Sequence, residues 1–150
     1  MNVFEFVFVS INGSRMPLSN YQGQPIFFVN TASECEYTNQ YKELQRLWMD
    51  YRQSGLIVIG MPCDDFGHQE PGNEDAIAEF CETNYQVSFP MTGKYHVMGV
   101  SAHPLFQAIA SFMNRSQRAG SFSKAPVNLC VMASTPICRI PRNDMHWCCA

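Results

Sequence analysis

Sulfur carries most of the chemistry this chain could perform. The sequence of 150 residues holds seven cysteines, an odd number, with no Cys-x-x-Cys pair and with Cys130, Cys138, Cys148 and Cys149 crowded near its end. Spacing of that kind does not make a zinc site, and a chain this long and apolar does not need a disulfide framework. Most of these thiols are therefore expected to be small buried hydrophobes. Cys35 has a different setting. It follows the apolar run Gln24 to Asn30 and precedes a helical pattern that begins near Thr38. In an open α/β sheet, that carboxyl edge is where reactive groups are presented. A thiol near a helix N-terminus meets unpaired N–H groups and the positive end of the dipole, and both favour thiolate. Thiolate attacks a peroxide oxygen and becomes a sulfenic acid. The flanking Glu34 and Glu36 count against this, since adjacent carboxylates favour the protonated thiol. Position alone leaves a reactive thiol and a structural one both open.

Gln69 lies in the turn-rich loop Pro62 to Asn73, which opens on the same sheet edge. Its amide could donate to the sulfur or to the oxygen being transferred, though an ordinary loop glutamine is the plainer reading. Cys63 begins that loop and is read as a buried thiol that could still reach Cys35 if the two strands end side by side. Cys81 belongs to an apolar helical stripe and reads as core. His68 reads as a solvated loop histidine.

The elements that must position these residues follow from periodicity. Phe4, Phe6 and Phe8 alternate along an expected strand, and Asn12-Gly13 reads as a two-residue hairpin turn. The runs Gln24 to Asn30 and Leu56 to Met61 are apolar on both faces, as central strands are. Between them lies a helix with Tyr41, Leu44, Leu47, Trp48 and Tyr51 on one face, ended by Gly55. Strand, helix, strand with short connections is a right-handed crossover that puts the strands parallel. A second helix, capped by Asn73, turns Ala76, Ile77, Phe80 and Cys81 inward, and Val87 to Met91 is expected to be a further strand. A third helix has Pro104 in its first turn, with Leu105, Phe106, Ile109, Phe112 and Met113 facing the core. From Arg115 to Ala150 neither alternation nor a helical stripe is visible, and ordered structure has little support there.

Composition narrows the function. Net charge is −3 with both signs scattered, which excludes the clustered basic face of a nucleic-acid binder. The longest apolar runs have strand length, so no membrane segment is expected. The N-terminal residues lack a basic region followed by an apolar stretch, so a cytoplasmic setting is expected.

The segment Val29-Asn30-Thr31-Ala32-Ser33-Glu34-Cys35-Glu36-Tyr37-Thr38, with Gln40-Tyr41, resembles the strand-to-helix active-site segment of glutathione peroxidases. The stretch Gly60-Met61-Pro62-Cys63-Asp64-Asp65-Phe66-Gly67-His68-Gln69-Glu70-Pro71-Gly72 resembles that family's second signature. Phe89-Pro90-Met91 and Ala102-His103-Pro104-Leu105 continue the likeness, which covers roughly residues 3 to 113. The resemblance implies one α/β domain over residues 1–150 with a thioredoxin-like fold, a central mixed sheet and flanking helices. It implies reduction of hydrogen peroxide and organic hydroperoxides at the expense of a thiol, with no prosthetic group. Cys35 takes the peroxidatic position and Gln69 matches the active-site glutamine.

Three departures accompany the likeness. Glu36 stands where the family has glycine. Cys81 lies one residue before the family's resolving position, a rotation of about 100° on a helix, which makes glutathione or another external thiol a better reductant than thioredoxin. The family's Trp-Asn-Phe segment is not recognisable, whether Asn128 or Trp147 is taken as its remnant, so residues 114–150 read as a divergent tail whose last strand and helix are unsettled. A non-catalytic thioredoxin-fold protein that binds partners or senses redox state is the alternative reading.

Overall fold

The computed structural model describes residues 2–118 and 129–132. Its elements are β1 (Val7–Val9), β2 (Arg15–Pro17), β3 (Ile26–Thr31), α1 (Tyr41–Tyr51), β4 (Ile57–Pro62), α2 (Glu74–Tyr85), α3 (Pro104–Arg118) and β5 (Leu129–Met132), with short 3-10 turns before β1, before β3 and at both ends of α1. The crossover unit forms as the sequence requires. β3 and β4 pair in parallel from Ile26↔Ile57 to Thr31↔Pro62. Gly55 ends the intervening helical segment at φ 94°, a left-handed conformation that a Cβ disfavours.

Alternation along β3 and β4 divides the core into two layers. Ile26, Phe28, Ile57, Ile59 and Met61 face one layer, where they meet Phe8, Met16 and Leu18 of the hairpin region and Leu105 and Phe106 of α3. Val29 and Val58 face the other, against Tyr41 and Leu44 of α1, Ile77 and Cys81 of α2, and Phe89 and Met91. Burying a side chain such as Leu44 or Ile77 stabilises the fold by about 1.5–3 kcal/mol, which is why the helices dock on the sheet along these stripes. Gly60 is required in β4, because a Cβ there would stand 2.9 Å from the Phe89 ring.

Several expectations are corrected. Val3–Glu5 is a 3-10 turn, so the first strand is only Val7–Val9, and its hairpin closes over three residues, with Ser10 N–H bonded to Ser14 C=O at 2.8 Å. Gly13 accommodates the turn at φ 83°. Val87 to Met91 forms no strand. Pro90 has no N–H to give a ladder, and the segment makes only single bridges, Gly60↔Met91 in parallel and Ser10↔Thr92 in antiparallel. Those bridges join the antiparallel hairpin to the parallel strands and make the sheet mixed. Tyr51 and Ala76, in the last turn of α1 and the first turn of α2, are exposed rather than turned to the core.

The tail contains a strand where none was expected. Leu129-Cys130-Val131-Met132 pairs in parallel with β3, giving the order β4-β3-β5. Four apolar residues in a row carry no alternation, which is why this strand was not legible. Asn128, Trp147, Cys138, Cys148 and Cys149 lie outside the described residues.

Candidate active site

Cys35 lies in a turn between the end of β3 and the 3-10 turn Thr38–Gln40 that leads into α1, and it is half-buried. Thr38 holds this turn with one hydroxyl. Its Oγ1 accepts the Cys35 N–H at 3.0 Å and lies 2.7 Å from the Cys35 carbonyl and 3.1 Å from the Ala32 carbonyl, to which it can donate. The Thr38 N–H also donates to the Cys35 carbonyl at 3.1 Å. The Tyr37 N–H points at the sulfur, 3.4 Å from Sγ. Glu34 and Glu36 are both exposed, so water and salt screen the charges that the sequence set against a thiolate.

The second loop leaves β4 and passes beside the first. Cys63 N–H donates to the Thr31 carbonyl at 3.0 Å, continuing the pairing one residue past the end of β4. Beyond it, the Glu34 N–H donates to the Gln69 carbonyl at 3.0 Å, so the residue before Cys35 is bonded to the residue that was expected to assist it. Gln69 is half-buried, and its Oε1 is buried without a hydrogen-bond partner. Asp64 shapes the turn. Its Oδ1 accepts the Glu70 N–H at 2.9 Å, and this bond, with His68 beside it, holds the carboxyl below the usual range. His68 itself is exposed at φ 54°, as a solvated loop residue.

Cys63 and Cys81 are set differently from Cys35. Cys63 and Cys81 are each 2% exposed, and burial pushes each thiol up to about 11. At neutral pH both are protonated, uncharged core residues. Cys81 packs on the inner side of α2, next to the Tyr41 hydroxyl.

Sequence reasoning missed two contributors. Thr38 was read only as the start of a helix, although a threonine three residues after a turn residue is a common local anchor for that residue's backbone. Glu70, fully buried, was taken only as one residue of a turn-rich loop, because a glutamate between turn residues gives no signal of burial.

Residues 3–110 match the family model for glutathione peroxidase. The chain is 48% identical over 106 residues to the glutathione peroxidase homolog BsaA of Bacillus subtilis, a match that covers 71% of this chain and 66% of that protein. It is 44% identical over 100 residues to the glutathione peroxidase-like peroxiredoxin gpx1 of Schizosaccharomyces pombe, covering 67% of this chain and 63% of the relative. The chain thus spans about two thirds of the length of these curated relatives. Among solved structures, Trgpx in its apo form superposes with a TM-score of 0.57 at 31% identity, covering 74% of this chain and 65% of the other. The structure of T. cruzi GPX1 gives 0.56 at 28% identity, covering 83% and 72%. The fold is the α/β thioredoxin-like one, with a mixed sheet and flanking helices.

Proposed function

The chain belongs to the glutathione peroxidase family, and we propose that it is a thiol-dependent peroxidase, built as one thioredoxin-like domain, in which Cys35 is the nucleophile and Gln69 its hydrogen-bonding assistant. The observation that carries this reading is the 3.0 Å bond from the Glu34 N–H to the Gln69 carbonyl, which joins the nucleophile's turn to the glutamine's loop. With the backbones joined there, the loop that carries the Gln69 amide lies against the turn that carries Cys35. The alternative of a non-catalytic binding protein is not favoured.

The step balances as follows. The Cys35 thiolate attacks one oxygen of hydrogen peroxide or an organic hydroperoxide, an S–O bond forms and the O–O bond breaks. The leaving oxygen departs with the bonding electrons and takes a proton to become water or an alcohol. Sulfur is oxidised to sulfenic acid while the peroxide is reduced. The Tyr37 N–H supports the charge on sulfur before attack, and the Gln69 amide can donate to the oxygen that develops charge. A reductant thiol then displaces water from the sulfenic acid, and a second thiol attacks the mixed disulfide to restore Cys35. Glutathione or a similar external thiol fits this better than an internal resolving cysteine, because Cys81 is buried and protonated. The setting we assign is the cytoplasm, where such thiols are kept reduced.

The test is chemical trapping. After one equivalent of hydrogen peroxide, dimedone should label Cys35, Cys35→Ser should abolish thiol-dependent turnover, and non-reducing peptide maps should show no dominant Cys35–Cys81 bond. Labelling confined to Cys63 or the tail cysteines would overturn the assignment of Cys35. A stoichiometric Cys35–Cys81 disulfide would instead move the reductant to thioredoxin.

A further inference from the structure

The loop that carries Gln69 is fastened on its near side by the Glu34 N–H, which donates to the Gln69 carbonyl at 3.0 Å. The residues that follow offer few donors of their own. Glu70-Pro71-Gly72 contains a proline with no N–H to give, and the Glu70 N–H is spent on Asp64 Oδ1 at 2.9 Å. The carbonyls of Glu70 and Gly72 therefore take their donors from another element. Lys94 supplies both: its Nζ donates to the Glu70 carbonyl and to the Gly72 carbonyl, each at 2.9 Å.

The backbone that presents this ammonium is itself held on both sides. The Thr92 N–H donates to the Gly60 carbonyl at 2.9 Å, the Gly93 N–H to the Val9 carbonyl at 2.8 Å and the Tyr95 N–H to the Pro62 carbonyl at 3.1 Å. The Lys94 N–H donates to Glu74 Oε1 at 3.2 Å, in the first turn of α2. Lys94 is half-buried, and the Glu70 and Asp64 carboxyl groups face its ammonium and favour a cation there. Gly60 and Pro62 belong to β4, which pairs with β3, and the end of β3 leads into the Cys35 turn. The lysine thus ties the glutamine loop to the same pair of strands that positions the thiol.

We propose that Lys94 is a positioning residue for the reaction at Cys35: bonded to the carbonyls of Glu70 and Gly72, its ammonium keeps Gln69 beside the turn that carries the thiol. This rests on the peroxidase reading given above. An ammonium offers three donors and no acceptor, so one side chain serves both carbonyls. Hydrogen bonds from an ionised donor are also stronger than neutral ones. The two bonded carbonyls bracket Pro71, and Gln69 directly precedes the first of them. Without the ammonium the loop keeps its near-side bond and loses its far one, and the Gln69 amide loses its fixed direction toward the oxygen that develops charge. A displacement of about 1 Å in a group that meets the reacting atoms costs about a hundredfold in rate.

The test uses the full chain and Lys94→Met, which keeps an unbranched stem and removes the donors. Oxidation of Cys35 by hydrogen peroxide, followed by stopped flow, should slow roughly tenfold to a hundredfold, and Lys94→Arg should recover part of the loss. Alkylation of Cys35 by iodoacetamide needs no donor to a leaving oxygen and should keep its parental rate. Introduced into Gln69→Ala, Lys94→Met should cost at most about twofold more, since the group that the lysine places is gone. Hydrogen exchange at the Glu34 amide should accelerate roughly tenfold in Lys94→Met. Exchange at the Ile57 amide, which donates to the Pro25 carbonyl at 2.9 Å at the far end of the strand pair, should stay level. A parental peroxide rate in Lys94→Met, an equal loss in the Gln69→Ala background, a parallel loss of alkylation, or Ile57 exchange rising with that of Glu34 overturns the proposal. If Lys94→Met fails to fold, competitive acetylation of the parent decides: Lys94 should react severalfold more slowly than the exposed Lys42, and equal reactivity overturns the fastening. Absence of any reaction between Cys35 and peroxide in the parent would refute the peroxidase reading, and Glu34 exchange that still accelerates in Lys94→Met would leave the fastening of the loop standing.

Discussion

Replacing Thr38 by valine tests how much of the active-site geometry depends on one hydroxyl. The substitution keeps the branched shape and removes Oγ1, which accepts from the Cys35 N–H at 3.0 Å and has the carbonyls of Cys35 at 2.7 Å and Ala32 at 3.1 Å as acceptors for its single hydrogen. At most one of those two carbonyls receives the hydrogen at a time, so the loss is two net hydrogen bonds. At about 0.5–1.5 kcal/mol each, the turn is destabilised by about 1–3 kcal/mol. The Thr38 N–H still reaches the Cys35 carbonyl at 3.1 Å, so the turn loosens rather than disappears. At about 2–4 °C per kcal/mol for a chain of this size, Tm should fall by several degrees. A turn that no longer keeps Sγ under the Tyr37 N–H should lose rate as well, roughly tenfold in kcat/KM for hydrogen peroxide, equivalent to about 1.4 kcal/mol of barrier. Thermal unfolding by circular dichroism and stopped-flow oxidation of Cys35 measure the two effects, and Thr38→Ser, which restores the hydroxyl, should recover most of both. A valine variant that reacts at the parental rate with an unchanged Tm would refute the clamp.

Two further substitutions probe the supporting structure. Gly60→Ala places a Cβ 2.9 Å from the buried Phe89 ring and 3.4 Å from Met91. Overpacking of that kind costs about 1–3 kcal/mol, and Phe89→Leu in the same chain should recover part of it; equal urea midpoints for Gly60→Ala and the parent would contradict the packing account. His103 stacks on Phe8 with centroids 4.0 Å apart, accepts the Leu105 N–H at 3.3 Å and lies 3.2 Å from the Val7 carbonyl, so the tautomer protonated on Nε2 satisfies both contacts. Burial pushes this imidazole below its ordinary value, against the opposing pull of the Val7 carbonyl. Its contribution is therefore complete above about pH 6.5 and is lost as pH falls through the lowered value. Urea unfolding between about pH 7 and about pH 5 should show that loss in the parent and a flatter profile in His103→Gln; parallel profiles would contradict it.

The parts of the fold governed by local periodicity were readable from the residues. The runs Gln24 to Asn30 and Leu56 to Met61 formed strands at Ile26–Thr31 and Ile57–Pro62, with the expected helix between them and the Asn73 cap, whose side chain accepts the Ala76 N–H at 3.0 Å. What failed depended on distant partners. Val87 to Met91 has the composition of a strand, yet Pro90 and the two-sided demands of Gly60 and Ile11 leave it only single bridges. Leu129–Met132 became a strand through pairing with β3, which no pattern inside the tail announces. At the site, the sequence placed Cys35 after the first central strand and Gln69 in the loop after the second, and the structure places them there too. Their environments were not legible, because the exposure of Glu34 and Glu36, the Thr38 clamp and the burial of Glu70 are set by which loop lies against which.

The irregular segment from Pro90 to Tyr95 touches every layer of the molecule. Its backbone bonds to Gly60 and Pro62 of β4 and to Val9 and Ile11 around the hairpin, Lys94 holds two carbonyls of the glutamine loop, and the Tyr95 hydroxyl accepts the Val9 N–H across 86 residues of sequence. Contacts of such separation carry a large loop-closure entropy and belong to the late part of folding. The crossover unit, by contrast, can assemble from contiguous chain. During synthesis, the strands and helix that carry Cys35 can therefore come together, with the Glu34–Gln69 bond closing the near side of the glutamine loop, before its far side is held. The two bonds from Lys94 to the carbonyls of Glu70 and Gly72 form only after the ribosome has released residues 90–95, so a nascent chain stalled before this point would carry its nucleophile beside a loop fastened on one side alone.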